Sequence, residues 1–315
     1  MFRQLTSALA FIFAVTYANG GLANSSDNSL SHQKNTLTRD SIVVGRVSTN
    51  PKKHFKHLKP IADYLADNLS DFGITEGKVL FAKDNQQMIR FIQQGKVDLI
   101  TETVFSATEF QNKAGAEIVL RRWKKGVADY SSIMFAKKES GITSLDGLVG
   151  KTIAFQDMGS SSSFFIPASI LIQNGYQLVR LDSPREVAPE HAIGYVFANK
   201  ELNISAWVNK GIVDAGALSN LDWNNEEDMP ESFRQVNNII YQSIPFPRGV
   251  ELLRADMDPA LKTQIVQILL NAHENEHGKR VLKAYQKTLK FDELFDSSDS
   301  VRRAKELAQI VAEQL

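Results

Sequence analysis

Short apolar runs alternate along the chain with segments in which apolar residues recur every three or four positions. The run Ser41–Val47 is rich in β-branched residues and ends in a Ser-Thr-Asn-Pro turn, after which apolar side chains recur at helical spacing from Phe55 to Leu69. Further strands are predicted at residues 79–81, 97–101, 131–136, 151–155, 213–217 and 239–241. Because helical segments separate most of these strands, the pattern is typical of an α/β fold with open sheets.

Proline and glycine mark several helix boundaries. Asp258 followed by Pro259 predicts a helix start, with Asp as the N-cap and Pro as the first helical residue. Asn174-Gly175 predicts the end of the helix that follows the strand at 151–155. Pro60 interrupts the first helical segment, and we expect it to kink that helix or to begin its main part.

The N-terminal segment has the shape of a secretory signal peptide. Residues 5–15 form an apolar stretch behind Met-Phe-Arg, and small residues follow up to a cleavage site near Ala23. The stretch is short for a membrane span, although an uncleaved anchor is the alternative. The chain has no cysteine, so neither a lipid-anchored cysteine nor a disulfide can form. We expect a signal peptide at residues 1–23, a polar flexible leader at 24–40 and a soluble periplasmic protein.

The remaining chain is long enough for two ordinary domains. The full sequence contains 36 Lys and Arg residues and 36 Asp and Glu residues, so it is close to neutral. Proteins that bind nucleic acid carry clustered excess basic charge, which argues against nucleic acid as a partner.

The segment from Asp157 to Pro167 carries the strongest functional signal. It contains four consecutive serines, Ser160 to Ser163, which we call the serine turn, between a predicted strand and a predicted helix. Amides in a first helical turn lack intrahelical acceptors and the helix dipole adds partial positive charge, so the serine turn could hold a tetrahedral oxyanion with neutral donors. Serine runs also serve as loops or helix caps. If Pro167 is the first helical residue, backbone amides in a nest contribute more than the dipole.

The residues around the serine turn resemble the periplasmic phosphate, phosphite and phosphonate-binding proteins of ABC importers. The resemblance rests on Tyr-Ser-Ser-Ile at 130–133, on the run KESGITSLDGLVGKTIAF at 138–155 and on the serine turn, and it covers about residues 41–290. In that family a Ser-Thr-Ser triplet, followed by Gly-Tyr and, three residues on, by Pro, holds the phosphonyl oxygens. Ser160, Ser161 and Ser162 match the triplet, and Pro167 matches the Pro.

The resemblance implies a type II periplasmic-binding fold, in which two α/β lobes joined by two hinge crossings close over a ligand in the cleft. The first lobe is expected at residues 41–129 and 237–315, and the second lobe at residues 130–236. The implied ligand is a small oxyanion of the phosphonate, phosphite or phosphate kind, and the implied partner is the permease of an ABC importer. A ligand-sensing subunit that docks on a membrane sensor kinase or chemoreceptor is the alternative. We expect a monomer without a cofactor.

Four candidate ligand contacts lie in the predicted second lobe. Tyr130 and Ser132 stand where the resemblance places a ligand-binding serine, although ordinary strand termini would look the same. His191 lies near the position of a ligand-facing histidine in the family and could pair with an oxyanion, whereas a surface histidine is the alternative. Asp214 matches a family strand whose Asp borders the cleft, where it could receive an amine or serve a hinge.

The first lobe is expected to contribute Asn50 and the loop from Glu102 to Phe105, since open sheets bind ligands at the carboxyl ends of their strands. This loop departs from the family, which often has Gly-Pro followed by Tyr. Glu102 would put negative charge into the cleft, which favours a ligand with a cationic group or one that is not a phosphonate. Ser163-Phe164 replaces Gly-Tyr after the triplet, so a permissive backbone position and a phenolic hydroxyl are lost.

Other chemistry has little support in the sequence. There is no cysteine nucleophile, no Gly-x-Ser-x-Gly elbow, no phosphate loop and no evident carboxylate pair, so we do not expect an enzyme. His273 and His277 have a metal-ligand spacing, but without a clear third ligand we interpret them as an exposed helix end. His54 and His57, beside four lysines, are interpreted as part of a solvated basic face.

Overall fold

Two six-stranded sheets organise the protein. The computed structural model describes residues 40–295 and 298–314, so the predicted signal peptide and nearly all of the predicted leader lie outside the described residues. The strands are β1 (Ser41–Val47), β2 (Glu76–Ala82), β3 (Leu99–Glu102), β4 (Glu117–Lys124), β5 (Asp129–Tyr130), β6 (Ser132–Lys137), β7 (Thr152–Phe155), β8 (Leu178–Arg180), β9 (Ile193–Phe197), β10 (Ala215–Ser219), β11 (Asn237–Gln242), β12 (Phe246–Pro247), β13 (Val250–Leu253) and β14 (Thr288–Glu293). The helices are α1 (Pro51–Asp67), α2 (Asn85–Gln93), α3 (Val104–Ala114), α4 (Ile166–Gln173), α5 (Glu201–Asn209), α6 (Asn220–Trp223), α7 (Glu231–Val236), α8 (Pro259–Asn271), α9 (Glu276–Ala284) and α10 (Asp299–Gln314).

Each sheet forms the centre of one lobe. The first sheet has the order β14-β4-β13-β3-β1-β2, with β1 parallel to both β2 and β3. The second sheet has the order β11-β6-β10-β7-β9-β8, with β7 parallel to β9 and β10. The predicted α/β fold with two open sheets is therefore confirmed, and parallel strands in both lobes present carboxyl ends where ligands bind in such folds.

Two chain crossings join the lobes. Strands β5 and β12 lie on the two crossings and pair antiparallel, with Phe246 opposite Tyr130. The sequence predicted that the chain returns to the first lobe before Asn237. Strand β11 instead pairs with β6 in the second sheet, so the return crossing begins after Gln242. The apolar run of β11 looks the same in either sheet, and only its pairing assigns it to a lobe.

Local signals located the helix starts well, with one exception. Helix α8 begins at Pro259 with Asp258 as its N-cap, and the Asp258 carboxylate accepts hydrogen bonds from the Ala260 and Leu261 amides, as predicted. Helix α1 begins at Pro51 and runs through Pro60 without a break. The expectation that its main part begins at Pro60 was wrong, because the buried face formed by residues such as Leu58 and Leu65 holds both halves against the sheet.

The hydrophobic core continues from one lobe into the other. Helices α1, α8 and α9 cover one face of the first sheet. A separate cluster joins α3 of the first lobe to the segment after β7 and to α10, with Phe105 and Phe164 among its buried side chains. The two lobes are thus in apolar contact beside the cleft.

Candidate ligand-binding site

The serine turn lies at the carboxyl end of β7. Residues Ser161–Phe165 form a π turn that continues directly into α4, so Pro167 lies one turn inside the helical segment. Ser160 caps this segment, and its Oγ accepts a hydrogen bond from the Ser163 N–H at 3.2 Å. The serines therefore occupy the first helical turn, where amides lack intrahelical acceptors.

Pro167 explains how the serine turn is held in place. It has no N–H to offer to the carbonyls of Ser162 and Ser163, which precede it by five and four residues. The Ser162 carbonyl instead accepts a hydrogen bond from the Ser132 hydroxyl at 2.6 Å, and the Ser163 carbonyl accepts one from the Gln156 N–H at 3.1 Å. The serine turn is thereby tied to β6 and to the end of β7.

Two hydroxyls of the serine turn are buried without a partner. The Oγ atoms of Ser161 and Ser163 are inaccessible to solvent and make no hydrogen bond, and the residues are only 4% and 1% exposed. A buried hydroxyl without a partner is unfavourable by about 1–3 kcal/mol, so an anion that accepted its proton would remove this penalty. Ser163 was not among the sequence-predicted contacts. Ser160 has its oxygen engaged in capping.

Tyr130 lies beside the serine turn, as predicted. Its phenol faces the Ser161 and Ser162 side chains, and burial raises its pKa. A neutral phenol can donate a hydrogen bond to an anion at physiological pH. Ser132 is also in place, but its hydroxyl proton is used by the Ser162 carbonyl, so Ser132 positions the serine turn rather than offering a free donor.

The first-lobe candidates have mostly local roles. The Asn50 side chain caps α1, where its Oδ1 accepts a hydrogen bond from the Lys53 N–H at 3.2 Å. Phe105 is buried and stacks on Phe165 of the second lobe, with ring centroids 5.9 Å apart, and it also packs on Phe246 of β12 at 5.6 Å. Phe105 therefore joins the two lobes beside the serine turn.

Glu102 lies at the carboxyl end of β3, but its carboxylate is engaged within the first lobe. Its Oε1 accepts a hydrogen bond from the Val47 N–H at 2.8 Å, and its Oε2 accepts one from the Thr103 N–H at 3.2 Å. Burial raises the pKa of Glu102, and the nearby Arg46 opposes this shift. Both oxygens of the Glu102 carboxylate already accept hydrogen bonds from backbone N–H groups of the first lobe. The structure therefore does not support the expectation that Glu102 makes the cleft negative.

Basic side chains from both the first sheet and the hinge gather beside this loop. Arg46, Lys124 and Arg248 line a cavity of about 380 Å³ together with His54 and His57 of α1. Burial, followed by the charges of Arg46 and other cations, lowers the pKa of His54 to about 4. The two histidines are therefore half-buried in the wall of a cavity, whereas Lys52 and Lys56 of the expected basic face are exposed, as expected.

A buried ion pair, Arg122 with Glu251, lies in the first sheet near these basic side chains. Arg122 and Glu251 lie on adjacent strands, with Nε and Oε1 3.5 Å apart, and both side chains are almost fully buried. Glu251 accepts hydrogen bonds from the hydroxyls of Tyr285 and Thr101, each at 3.0 Å. Burial raises the pKa of Glu251 to about 7. The Nε and Nη1 atoms of Arg122 nevertheless have no hydrogen-bond acceptor.

The structure does not bring His191 and Asp214 to this site. His191 is exposed and directly precedes β9, whereas the serine turn follows the carboxyl end of the parallel strand β7. Asp214 precedes β10, and its carboxylate accepts a hydrogen bond from the Thr152 N–H at the start of β7 at 2.9 Å. Both residues therefore lie at the opposite end of the second sheet. They are not positioned as ligand contacts.

Sequence reasoning missed the cationic residues. Arg122 and Lys124 alternate in the run Arg-Arg-Trp-Lys-Lys at 121–125, which is a visible signal for a basic strand face. Arg46 is a single charge in an apolar strand, and Arg248 follows the Phe-Pro of β12. Only the fold brings these distant segments together.

The other histidine pair has local contacts. The Nδ1 atom of His273 lies 2.8 Å from the Leu270 carbonyl oxygen, and the His277 ring packs edge-on against Tyr64 with centroids 5.3 Å apart. Within residues 40–295 and 298–314, no group of three His, Asp or Glu side chains could hold a metal ion. Over the same residues, no helix is both long and apolar enough to cross a membrane.

Residues 46–298 match the model of the family described as ABC transporter, phosphonate, periplasmic substrate-binding protein. The chain belongs to this family. Its members are transport substrate-binding proteins of the periplasm, and the type II fold expected from the resemblance is confirmed.

Solved structures of other proteins show how far the similarity extends. A structure of XAC2383 from Xanthomonas citri bound to ATP is 31% identical, with a TM-score of 0.81, over 88% of this chain and 100% of that chain. A second structure of XAC2383, bound to a chloride ion, is 32% identical over the same shares with the same TM-score. PhnD1 from Prochlorococcus marinus, in complex with methylphosphonate, is 16% identical with a TM-score of 0.62, covering 87% of this chain and 99% of that chain, and supports the fold alone.

Proposed function

We propose that the protein is an extracytoplasmic solute-binding protein that captures a small ligand with a phosphoryl or phosphonyl oxyanion by cleft closure and delivers it to an ABC importer. The observation that carries the proposal is the buried Ser161 hydroxyl, which takes no part in the hydrogen bonds that hold the serine turn and faces the neutral phenol of Tyr130. Both groups can donate hydrogen bonds to an oxyanion. The family supports this assignment, as does a relative that accommodates a phosphate ester.

Binding without turnover is the proposed activity. The serine turn supplies donors, and no candidate nucleophile is paired with a base among the described side chains around it. We also propose that residues 1–23 export the chain to the periplasm. A mature N-terminus near Asn24 and release by osmotic shock would support this proposal, whereas retention in the membrane with Met1 intact would contradict it.

Calorimetry on a serine variant tests the oxyanion site. Ser161→Ala should weaken binding of phosphate or methylphosphonate, whichever the wild type binds more tightly, by roughly tenfold to a hundredfold, because it removes one hydrogen bond to a charged group. The matched control is Ser205→Ala, which removes a buried hydroxyl that donates to the Asp228 carbonyl in the second lobe. It should lower stability without changing affinity. Equal dissociation constants for wild type and Ser161→Ala would rule out the serine turn as the site.

Delivery is tested separately with the transporter. Stimulation of the ATPase of the cognate importer in proteoliposomes by the ligand-loaded protein would support import. Specific docking on a membrane sensor without such stimulation would favour the sensing alternative.

A further inference from the structure

A cluster of basic side chains lines the cavity of about 380 Å³ on the first-lobe side of the hinge. Six of the side chains that line it are cationic: Arg46, Lys53, Lys124, Lys125, Arg248 and Lys287. None of the described residues that line it is Asp or Glu. We call this cavity the basic pocket. Its charge greatly exceeds what a single phosphonate at the serine turn would require.

The Arg46 guanidinium at the basic pocket is available to an anion. The Nε and Nη1 atoms of Arg46 are buried and have no hydrogen-bond acceptor. Buried donors of this kind are rare because each lost hydrogen bond is unfavourable, and a charged donor loses more than a neutral one. An anion beside Arg46 would supply the missing acceptors.

The rim of the basic pocket is built from strained backbone. Lys125, Gln286 and Lys287 have φ angles of 54°, 55° and 55°, in the left-handed region that residues other than glycine seldom adopt. The Lys125 N–H donates to the Lys287 carbonyl at 2.9 Å, which holds the two turns together. Strained residues that cluster around one cavity are typical of a binding site, where the fold imposes the conformation.

The first turn of α1 supports the same conclusion. A helix N-terminus favours acidic side chains, but α1 has none in its first turn and carries Lys53 and His54 there, both of which line the basic pocket. The Nδ1 atom of His54 is also buried without a hydrogen-bond partner. Dipole and side chains therefore add positive potential at the same cavity.

The basic pocket and the serine turn are neighbours in one cleft. Arg248 lines the basic pocket, and its guanidinium donates to the Lys124 carbonyl at 2.7 Å. Arg248 directly follows β12, which pairs with β5, and its backbone N–H donates to the Ala128 carbonyl at 2.8 Å. Arg248 therefore also lies near Tyr130 of β5, which faces the serine turn. One ligand can therefore reach both groups of donors through Arg248.

We propose that the basic pocket is a second anion subsite of the same ligand, which therefore carries at least two phosphoryl groups, as a diphosphate or triphosphate does. The inference rests on the proposed function of the serine turn. One phosphoryl group accepts from Ser161 and Tyr130, and the next accepts from Arg46, Lys124 and Arg248. A monophosphonate fills only the first subsite and leaves the cationic side chains of the second without partners.

Calorimetry at 150 mM salt with methylphosphonate, pyrophosphate, tripolyphosphate, ADP and ATP tests the inference. Wild type should bind pyrophosphate at least roughly tenfold more tightly than methylphosphonate. Lys124→Met and Arg46→Met should each reduce that preference about tenfold or more while leaving methylphosphonate affinity within about threefold. Lys210→Met, on the exposed surface of the second lobe, is the matched control and should change neither. Thermal unfolding should show both pocket variants folded, since methionine keeps much of the apolar stem of each side chain and neither side chain makes a hydrogen bond to a carboxylate of the described residues.

The outcomes separate this inference from the proposed function. A wild type that binds pyrophosphate no better than methylphosphonate would overturn the second subsite, as would pocket variants that lose both ligands equally. Pyrophosphate binding that survives Ser161→Ala and disappears in Lys124→Met would retain the basic pocket but refute the serine turn. If the subsite stands, tighter binding of ADP and ATP than of the inorganic anions assigns the ligand to nucleotides, and the reverse order assigns it to inorganic polyphosphate.

Discussion

At the scale of one residue, Lys124 of the proposed anion subsite has an altered proton affinity. Burial, followed by the charges of Arg122, Arg46, Arg248 and Lys125, lowers its pKa to about 7. The ordinary value is 10.5, so folding favours the neutral amine over the whole interval between these values. The contribution of Lys124 to the free energy of unfolding therefore increases as the pH rises from about 7 towards 10.5. A bound anion acts in the opposite direction, because it stabilises the ammonium form.

Ligand binding should therefore be coupled to proton uptake. At pH 8 we expect uptake of up to about one proton per bound pyrophosphate, since free Lys124 is mostly neutral there and the bound anion restores its charge. Calorimetry in two buffers of different ionisation enthalpy measures this number. In the Lys124→Arg variant the side chain keeps its charge but does not titrate. The variant should therefore lack nearly all of the proton uptake that wild type shows on binding pyrophosphate. The same uptake in both proteins would show that another group takes the proton.

At the scale of elements, the sequence predicted what depends on neighbouring residues. Strand β1 and the start of α8 follow from a β-rich run and from an Asp-Pro cap, and both have the predicted bounds. The assignment of β11 to a lobe depends on which strand it pairs with. The positions of His191 and Asp214 depend on which ends of the parallel strands lie at the serine turn. Neither property follows from neighbouring residues in the sequence. The basic pocket was missed for the same reason, because its side chains come from β1, β4, α1 and the hinge.

The π turn carries the serines of the proposed oxyanion site, and Pro167 follows it as the second residue of α4. Pro167→Ala would provide an N–H for the Ser162 or Ser163 carbonyl, in competition with the Ser132 hydroxyl and the Gln156 N–H. We expect a more regular helix that shifts the serine hydroxyls, with affinity for the serine-turn ligand reduced roughly tenfold and the melting temperature unchanged or higher.

Pro259→Ala is the control for that change. Pro259 is the first residue of α8, where a proline is also compatible with the helix, and α8 contributes nothing to the serine turn or the basic pocket. Its affinity should equal that of wild type. If Pro167→Ala also bound like wild type, the proline would have no part in positioning the serines.

At the scale of the whole molecule, we expect apolar contacts across the lobes to affect the balance between open and closed forms. Phe105 stacks on Phe165, and α10 packs against α3 of the first lobe and α4 of the second. The Ser169 hydroxyl of α4 donates to the Leu307 carbonyl of α10 at 3.2 Å. Opening of the cleft must separate the stacked rings and move α10 relative to one of these helices. To close the cleft, the ligand then has to supply only the free-energy difference between the open and closed forms.

Small-angle scattering should show this closure directly. Saturating ligand should reduce the radius of gyration of wild type, because only the closed form lets one ligand contact the serine turn and the basic pocket together. Phe105→Leu should weaken the contact between the lobes, so the free protein should be larger and the affinity lower. Phe135→Leu is the control, since Phe135 packs on Trp223 within the second lobe; it should reduce stability without changing the radius. A wild-type profile that saturating ligand left unchanged would contradict capture by closure, even with the serine turn established as the site.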